Sequence, residues 1–320
     1  MFEWINSLSK KPQRALVVGS ANVDIVARVP RLPKDGESLR GNSMSVVFGG
    51  KGANQAVALA RIGASVEFIS AVGGDHYGKL MKQNFTREGI VVSAVKTVAG
   101  ETSGTALIFV DDEGRNSIVV IPGANYKLLP EDLVKNKRHF EGKDVYLTQL
   151  ELLPETVEAG LFLAKEKGLI TIVDAGPPRA ISEKIFPYID IISPNETETE
   201  FLVGIKPTTK KEFRKCANSL LKKGVRAVIL KLGAKGCYYA DDSQELYVPG
   251  FKIKAVDTTA AGDAFTAGLA FAWGKASLDE ILIFANAVGA LACMKFGAQP
   301  SMPILAEVKT FLNSIRKIGE

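Results

Sequence analysis

One nine-residue segment, Asp257–Phe265, combines a bare backbone with a carboxylate at the start of a predicted helix. It reads Asp-Thr-Thr-Ala-Ala-Gly-Asp-Ala-Phe, and apolar residues recur at helical spacing from Phe265 onward. The first amides of a helix lack intrahelical acceptors and attract anions, whereas Asp263 would repel them. This conflict is resolved if the anion is a phosphoryl group in transfer and Asp263 accepts the proton of the attacking hydroxyl. The alternative is an ordinary helix cap beside closely packed small residues.

A glycine-rich run, Gly49–Ala56, opens a second predicted helix with the sequence Gly-Gly-Lys-Gly-Ala-Asn-Gln-Ala. Its spacing matches neither a Walker A loop nor a dinucleotide-binding fingerprint. Three glycines around a lysine favour close approach of the backbone to a small polar ligand, with Lys51 and Asn54 as hydrogen-bond donors. The alternative is a tight turn that requires positive φ.

Two further positions offer groups that suit hydroxyls. Asn22 and Asp24 lie two residues apart in a predicted strand and therefore share one face. A carboxylate can accept from two neighbouring hydroxyls and an amide can donate and accept, so the pair suits a polyol. A turn at the end of the first strand is the alternative. Glu151, after the predicted strand Val145–Leu150, could accept another hydroxyl hydrogen bond or be a solvated loop residue.

Polar groups also follow two later strands. Asn195 and Glu198 are spaced to hold magnesium-bound waters near phosphates. The same spacing suits a helix cap with acids in the first turn, and both roles are compatible. The segment Lys231–Gly236 joins two strand-like runs, where glycines would let a nucleotide phosphate or base lie close; a plain hairpin turn explains it nearly as well.

Strand-like apolar runs alternate with helix-period segments along most of the chain, which predicts a doubly wound, mainly parallel α/β sheet with helices on both faces. The predicted strands are Ala15–Val18, Val66–Val72, Val145–Leu150, Ile170–Asp174, Ile189–Ile192 and Ala227–Leu232. The predicted helices are Gly52–Ile62, Tyr77–Glu88, Glu155–Lys167, Lys210–Lys223 and Ala264–Trp273, with glycine stops at Gly63, Gly89, Gly168 and Gly224. Because ligands bind beyond the carboxyl ends of strands in such a sheet, we expect the candidate residues to share one edge.

Two regions break this alternation. Residues 24–48 contain short β-prone pieces separated by Pro30, Pro33 and Gly36, and residues 102–122 indicate a hairpin. Together they predict a small antiparallel sheet that acts as a lid over the site. The chain is thus divided into an N-terminal extension at residues 1–14 and one α/β domain at residues 15–320, with the discontinuous lid inside it.

The bulk composition is that of an ordinary soluble domain, with 320 residues, 46% hydrophobic and 23% charged. A net charge of +5 without a long basic block gives no indication of nucleic-acid binding. No apolar run is long enough to span a membrane, and Met1–Arg14 lacks a signal-peptide core. Three separated cysteines suit a reducing cytoplasm, and two histidines leave little for a zinc site or a histidine-based triad.

Five segments taken together resemble the ribokinase-like carbohydrate kinase family. They are Asn22–Asp24, Gly49–Ala56, Asn195–Glu198, Asp257–Asp263 and Gly297–Ser301, and the resemblance extends in order from about Ala15 to Phe311. The Ala-Ala-Gly-Asp element is typical of the family at large. The Gly-Gly-Lys-Gly-Ala-Asn-Gln element and the Asn22/Asp24 pair favour a free pentose as the acceptor.

The resemblance implies a doubly wound domain with a β lid used for homodimerisation, and transfer of the γ-phosphoryl group of ATP to the 5-hydroxyl of ribose with Mg²⁺. It implies Asp263 as general base and the amides of Ala261, Gly262 and Asp263 as an anion hole. The implied sugar ligands are Asn22, Asp24, Gly50, Lys51, Asn54, Glu151 and Asp263. Those implied for the nucleotide and its metal are Asn195, Glu198, Lys231, Gly233, Gly236, Gly262 and Asn286. Activation by K⁺ is implied through oxygens of Asp257, Thr259, Ala292, Lys295, Gly297 and Ser301.

Two features depart from the family pattern. Lys231 occupies a phosphate-side position that can be threonine, which puts the phosphate contact in doubt, and the extension at residues 1–14 has no clear counterpart. The acceptor stays open, since fructose, ketodeoxygluconate or a nucleoside would suit the same fold. A catalytically silent sugar sensor is the non-enzyme alternative, and the intact Asp263 and Asn195/Glu198 pair speak against it.

Overall fold

The computed structural model describes Trp4 and residues 12–319, with side chains through residue 314. The strands are β1 Arg14–Val18, β2 Asn22–Arg28, β3 Ser43–Gly49, β4 Ser65–Gly73, β5 Val95–Val98, β6 Gly104–Val110, β7 Asn116–Ile121, β8 Val145–Thr148, β9 Ile170–Asp174, β10 Ile191–Ser193, β11 Ala227–Lys231, β12 Gly236–Asp241 and β13 Glu245–Pro249. The α-helices are α1 Lys51–Arg61, α2 His76–Arg87, α3 Pro130–Lys135, α4 Pro154–Glu166, α5 Glu196–Val203, α6 Lys210–Leu221, α7 Ala261–Ala272, α8 Leu278–Cys293 and α9 Leu305–Gly319.

The main sheet has nine strands in the order β13-β12-β11-β10-β9-β8-β1-β4-β5. From β5 to β11 neighbouring strands are parallel, and β12 and β13 add an antiparallel edge. The predicted mainly parallel sheet is confirmed, and its strands β11, β10, β9, β8 and β1 end side by side. Loops that leave these carboxyl ends therefore meet along one edge, as expected for a ligand site.

Helices cover both faces of this sheet because successive strand residues point to opposite sides. In β1, Ala15 and Val17 join a core with α1, α7 and α8, whereas Leu16 and Val18 join a second core with α4 and α6. The four predicted glycine stops have positive φ and follow α1, α2, α4 and α6. Helix α7 begins at Ala261, three residues before its predicted start, so the Ala-Gly-Asp element forms its first turn.

The second sheet, here called the lid sheet, has the strand order β3-β2-β6-β7 and contains the two regions predicted as a lid. The outer pairs β2–β3 and β6–β7 are antiparallel, but the central pair β2–β6 is parallel. The expectation of a wholly antiparallel sheet is therefore wrong at its centre. The physical reason is that β2 and β6 follow β1 and β5, two parallel strands that end at the same edge of the main sheet.

The first strand begins one residue before the predicted domain boundary, because Arg14 already pairs in β1. Gln13 is also buried, and its Nε2 donates to the carbonyl of Ala270 at 3.2 Å. Most of the predicted N-terminal extension lies outside the described residues. Trp4 is described, and its ring packs edge-on against Phe284 with 5.4 Å between centroids.

Within the part of the chain that the structure describes, no helix combines the length and the apolarity needed to cross a bilayer.

Candidate active site

The N-terminus of α7 presents free backbone donors beside a strained residue. Ala260 precedes the helix with φ 59° and is the one non-glycine residue with positive φ in the described chain. A left-handed conformation costs such a residue roughly 1–2 kcal/mol, so the surrounding fold must hold this turn. Neither Gly262 N–H nor Asp263 N–H has an acceptor among the described residues, whereas Ala261 N–H donates to the carbonyl of Thr258 at 3.2 Å. The turn thus offers two free amides to an anion, one fewer than predicted.

The Asp263 carboxylate lies in the first turn of α7 and is buried. Asn54 Nδ2 donates to its Oδ2 at 2.8 Å, and the ammonium of Lys51 lies 3.8 Å from its Oδ1. Burial raises the pKa of Asp263 to about 6, with Lys51 opposing the shift and Asp174 adding to it. A carboxylate with this pKa is mostly ionised at neutral pH and is matched to accepting a proton there.

Lys51 is held as a cation among acidic groups. Burial opposes its charge, but the carboxylates of Asp263, Asp174 and Glu151 outweigh this and raise the pKa of the Lys51 ammonium. Asn54, on the same helix, has a buried Oδ1 without a hydrogen-bond partner. A buried acceptor left unmatched costs stability, so it indicates a polar ligand that donates at this point.

The lid sheet contributes Asn22 and Asp24 to the same space, with both on one face of β2 as predicted. Asn22 Oδ1 accepts from Nδ2 of Asn125 at 2.7 Å, and Asn125 Oδ1 in turn accepts from the N–H of Ala21 at 2.9 Å. Asn22 therefore presents its NH₂ group to the site as a donor. Burial, together with the charges of Glu151 and Asp263, raises the pKa of the Asp24 carboxyl to about 7.

Glu151 anchors the start of α1. Its Oε2 accepts from Lys51 N–H at 2.9 Å and from the hydroxyl of Ser20, while Oε1 has no partner within the described chain. Gly50 at the N-cap has φ 85°, and a Cβ there would lie 2.7 Å from the backbone nitrogen of Asn22. The alternative for the glycine-rich run is confirmed, because the turn needs positive φ. Contact of the run with a polar ligand stays a prediction, and the Asn54 amide predicted as a donor to it donates to Asp263 instead.

A second set of charges adjoins Asp263 through Asp174. Lys231 Nζ donates to Asp174 Oδ1 at 2.8 Å and lies 4.0 Å from Glu198 Oε2. Asn195 and Glu198 form a reciprocal cap at α5, in which each side chain accepts from the backbone N–H of the other. The structural alternative for this pair is confirmed. Glu198 Oε1 accepts no hydrogen bond within the described chain, and a Cβ built on Gly176 would collide with this oxygen.

Next to these charges, beyond Gly262, is a cavity of about 370 Å³. It has a largely apolar wall that includes Phe251, Ile253 and Phe265. Five of the residues predicted for a nucleotide line it, namely Lys231, Gly233, Gly236, Gly262 and Asn286. An apolar cavity with a few polar lining groups suits a heteroaromatic base joined to phosphates. The other two, Asn195 and Glu198, are not among its lining residues.

The predicted monovalent-cation residues are brought together in part. Asp257 Oδ1 accepts from the N–H and hydroxyl of Thr259, and Oδ2 accepts from Gly297 N–H at 3.0 Å. The carbonyl of Cys293, between Ala292 and Lys295, accepts from Asp257 N–H at 3.2 Å. No hydrogen bond links Ser301 to Asp257; its hydroxyl donates to the carbonyl of Ala298. The Lys295 side chain points away, to Glu307.

Sequence reasoning missed the residues beneath the site. Asp174 is fully buried and accepts from Lys231, from Gln55 Nε2 at 2.9 Å and from Thr266 Oγ1 at 3.2 Å. Gln55 also reaches Asp263 Oδ1 at 3.4 Å. The sequence does contain an indication of Asp174, because this residue ends a predicted strand at the same sheet edge as Glu151. Among the described residues no three acidic, histidine or cysteine side chains form a metal-binding group.

The geometry agrees with comparisons to known proteins. A model of the pfkB family carbohydrate kinases matches residues 12–305. A ribokinase of Haemophilus influenzae is 40% identical over 297 residues, which cover 92% of this chain and 97% of that protein. The crystal structure of ribokinase from Thermotoga maritima has a TM-score of 0.85 at 37% identity and covers 94% of this chain and 99% of its own. Arabidopsis thaliana ribokinase complexed with ribose and ATP has a TM-score of 0.89 at 34% identity, with the same two coverages. The chain described here therefore belongs to the pfkB family of carbohydrate kinases.

Proposed function

We propose that this protein transfers the γ-phosphoryl group of ATP to the 5-hydroxyl of D-ribose, giving ribose 5-phosphate and ADP. The observation that carries the proposal is the position of the buried Asp263 carboxylate. Groups that suit hydroxyls adjoin it, including Asp24 and Asn54 with its unmatched Oδ1. The free amides of Gly262 and Asp263 adjoin it as well, and Gly262 lines the cavity. The names of the similar proteins support ribose as the acceptor.

The sugar is recognised by a fixed pattern of donors and acceptors. Asn22 and Lys51 donate to sugar oxygens, whereas Asp24, Glu151 and Asn54 Oδ1 accept from hydroxyls. A site with matched polar groups rejects an analogue lacking a hydroxyl, because its own buried groups are then left unpaired. The acceptor hydroxyl lies at Asp263, and its position is set by these contacts on the rest of the ring.

Transfer requires loss of one proton and stabilisation of one migrating anion. Asp263 removes the proton of the 5-hydroxyl as that oxygen attacks the γ-phosphorus, and ADP leaves. The amides of Gly262 and Asp263 donate to the phosphoryl oxygens, which carry more charge in the transition state than before it. The lid sheet, which holds Asn22 and Asp24, excludes water and thereby limits hydrolysis of ATP.

The residues present fit Mg²⁺ and K⁺, which we propose as cofactors. Glu198 Oε1 is an unengaged carboxylate oxygen beside the phosphate side, and such oxygens suit magnesium-bound water. The Asp257 carboxylate and the Thr259 hydroxyl lie beside the Gly297 N–H, just before the first turn of α7, and their oxygens suit a hard cation. When bound, both ions supply positive charge to the phosphates and the anion-binding turn.

We also propose a homodimer formed through the lid sheet. Its strands expose large apolar side chains, among them Met44 at 70%, Ile118 at 52% and Val120 at 52%. Apolar patches of this kind mark association surfaces. The cytoplasmic location inferred from the free cysteines stays a prediction.

The acceptor is tested with an ATP-coupled assay over ribose, deoxyribose, fructose, ketodeoxygluconate and adenosine. We expect ribose to give the highest kcat/KM, with deoxyribose lower because a matched hydroxyl is absent. A higher kcat/KM for fructose, ketodeoxygluconate or adenosine would replace ribose as substrate. Ribose binding in calorimetry without ATP turnover would instead identify a sensor and refute the enzyme.

A further inference from the structure

A buried ion pair, Lys231 and Asp174, lies beneath the phosphate side of the site. Lys231 ends β11 and Asp174 ends β9, with β10 between them. The two side chains are 9% and 0% exposed, and Nζ donates to Oδ1 at 2.8 Å. Desolvating both charges costs free energy that their attraction only partly offsets, so the pair is a poor device for stability alone.

The Lys231 ammonium is only partly satisfied by the protein. It has three protons to donate, and within the described chain Asp174 is its one hydrogen-bond acceptor. Glu198 Oε2, at 4.0 Å, is too far for a hydrogen bond. Lys231 lines the cavity, and a Cβ built on Gly262 would lie 3.5 Å from Nζ. The remaining donors are therefore close to Gly262, whose amide is free.

Asp174 is itself fixed from two directions. Its Oδ2 accepts from Gln55 on α1 and from Thr266 on α7, the two helices that carry Asn54 and Asp263. The Asp174 carboxylate thus holds Lys231 in a fixed position relative to α1 and α7, the helices that also position Asp263. A charge held this way needs little reorganisation when an anion arrives.

We propose that Asp174 is a positioning residue that holds the ammonium of Lys231 beside the Gly262 and Asp263 amides, where Lys231 donates to the γ-phosphoryl group during transfer. This inference rests on the proposed function and deepens it. A threonine at position 231 would offer the phosphate a neutral hydroxyl. Lys231, which departs from that pattern, offers a full positive charge instead. Lys231 is then a catalytic residue, and Asp174 acts through it.

The test compares K231M, D174N and the double variant, with K235M as the matched control. Lys235 is an exposed lysine in the same hairpin and does not line the cavity. We expect K231M to lower kcat by roughly 10²-fold, as for loss of one preorganised donor, with the KM for ribose unchanged. We expect D174N to lower kcat by about 10-fold through misplacement of Lys231. K235M should match the wild type.

The double variant separates catalysis from folding. Each single change leaves a buried group unpaired and lowers Tm, whereas the neutral pair in K231M/D174N regains Tm. We expect its kcat to stay at the K231M value, because Asp174 has nothing left to position. Recovery of wild-type kcat in the double variant would make the pair purely structural and overturn the proposal, as would a K231M variant with wild-type turnover.

Nucleotide titration gives a readout that is independent of the sugar. By calorimetry, K231M should lose affinity for a non-hydrolysable ATP analogue while keeping its affinity for ADP. Equal losses for both nucleotides, or none, would contradict a γ-phosphoryl contact. If the wild type phosphorylates no sugar, the proposed function fails, and this titration still decides the Lys231 contact.

Discussion

Replacing Asp263 with asparagine removes the proposed base while keeping the shape of the site. With a pKa of about 6, the Asp263 carboxyl is mostly ionised at pH 7.5, so the wild type has its base available. An asparagine Oδ1 can still accept from Asn54 Nδ2, which donates at 2.8 Å in the native site. Loss of a general base lowers rates by about 10²–10⁴-fold. That range corresponds to roughly 3–5 kcal/mol of barrier, at about 1.36 kcal/mol for each factor of ten.

The assay pairs kcat from ADP release with the ribose affinity from calorimetry. We expect D263N to lose turnover in this range and to keep ribose affinity within a few-fold. Asp279→Asn is the matched control, since Asp279 is an exposed acid in the first turn of α8. Near-normal kcat in D263N would refute the base assignment. Parallel loss of kcat and ribose affinity, with the control unchanged, would show that Asp263 mainly shapes the sugar site.

Three further predictions address pH, cations and assembly. The pKa of Asp24 is about 7 in the folded protein and about 3.9 in the unfolded chain, so the folded state binds this proton more tightly. The unliganded protein therefore loses stability as pH rises from about 4 to 7. In urea denaturation, D24N should flatten that part of the profile, and an unaltered slope would contradict it. Turnover should be higher in KCl than in NaCl or a large organic cation, and D257A should abolish the difference; equal rates in the wild type would remove the cation site. Ile118→Glu with Val120→Glu should convert a dimer to a monomer in light scattering, and a monomeric wild type would refute dimerisation through the lid sheet.

The main sheet could be predicted because its signals are local. Buried parallel strands such as β1 are continuous apolar runs, here Ala15–Val18, and glycine after a helix reports a required positive φ. The direction of β2 relative to β6 could not be predicted in this way. It depends on which edge of the main sheet each strand leaves, and that is fixed only when distant segments come together.

The candidate site was predictable where one short segment carries both the turn and the functional group. Gly49–Ala56 and Asp257–Asp263 are such segments, and the structure brings Asn54 and Asp263 within a hydrogen bond of each other. Asp174 and Asn125 act through partners more than fifty residues away in sequence, so no local spacing identifies them. The occupied amide of Ala261 is a different case, since its acceptor, the carbonyl of Thr258, is only three residues away and belongs to the turn in which Ala260 has positive φ.

The charge balance of the site explains why Asp263 is suited to its role. Four carboxylates, those of Glu151, Asp174, Glu198 and Asp263, lie around the ammonium groups of Lys51 and Lys231, and a fifth, Asp24, interacts with Glu151 and Asp263. Burial and mutual repulsion raise the pKa values of Asp24 and Asp263, so the unliganded protein holds this arrangement at a cost in stability. Under the proposed function, sugar hydroxyls and the proposed cations would supply the missing partners, so we expect ligand binding to stabilise the fold. A site neutralised by further lysines would fold more easily, but its Asp263 would have a low pKa and would be a poor acceptor for the proton of an alcohol.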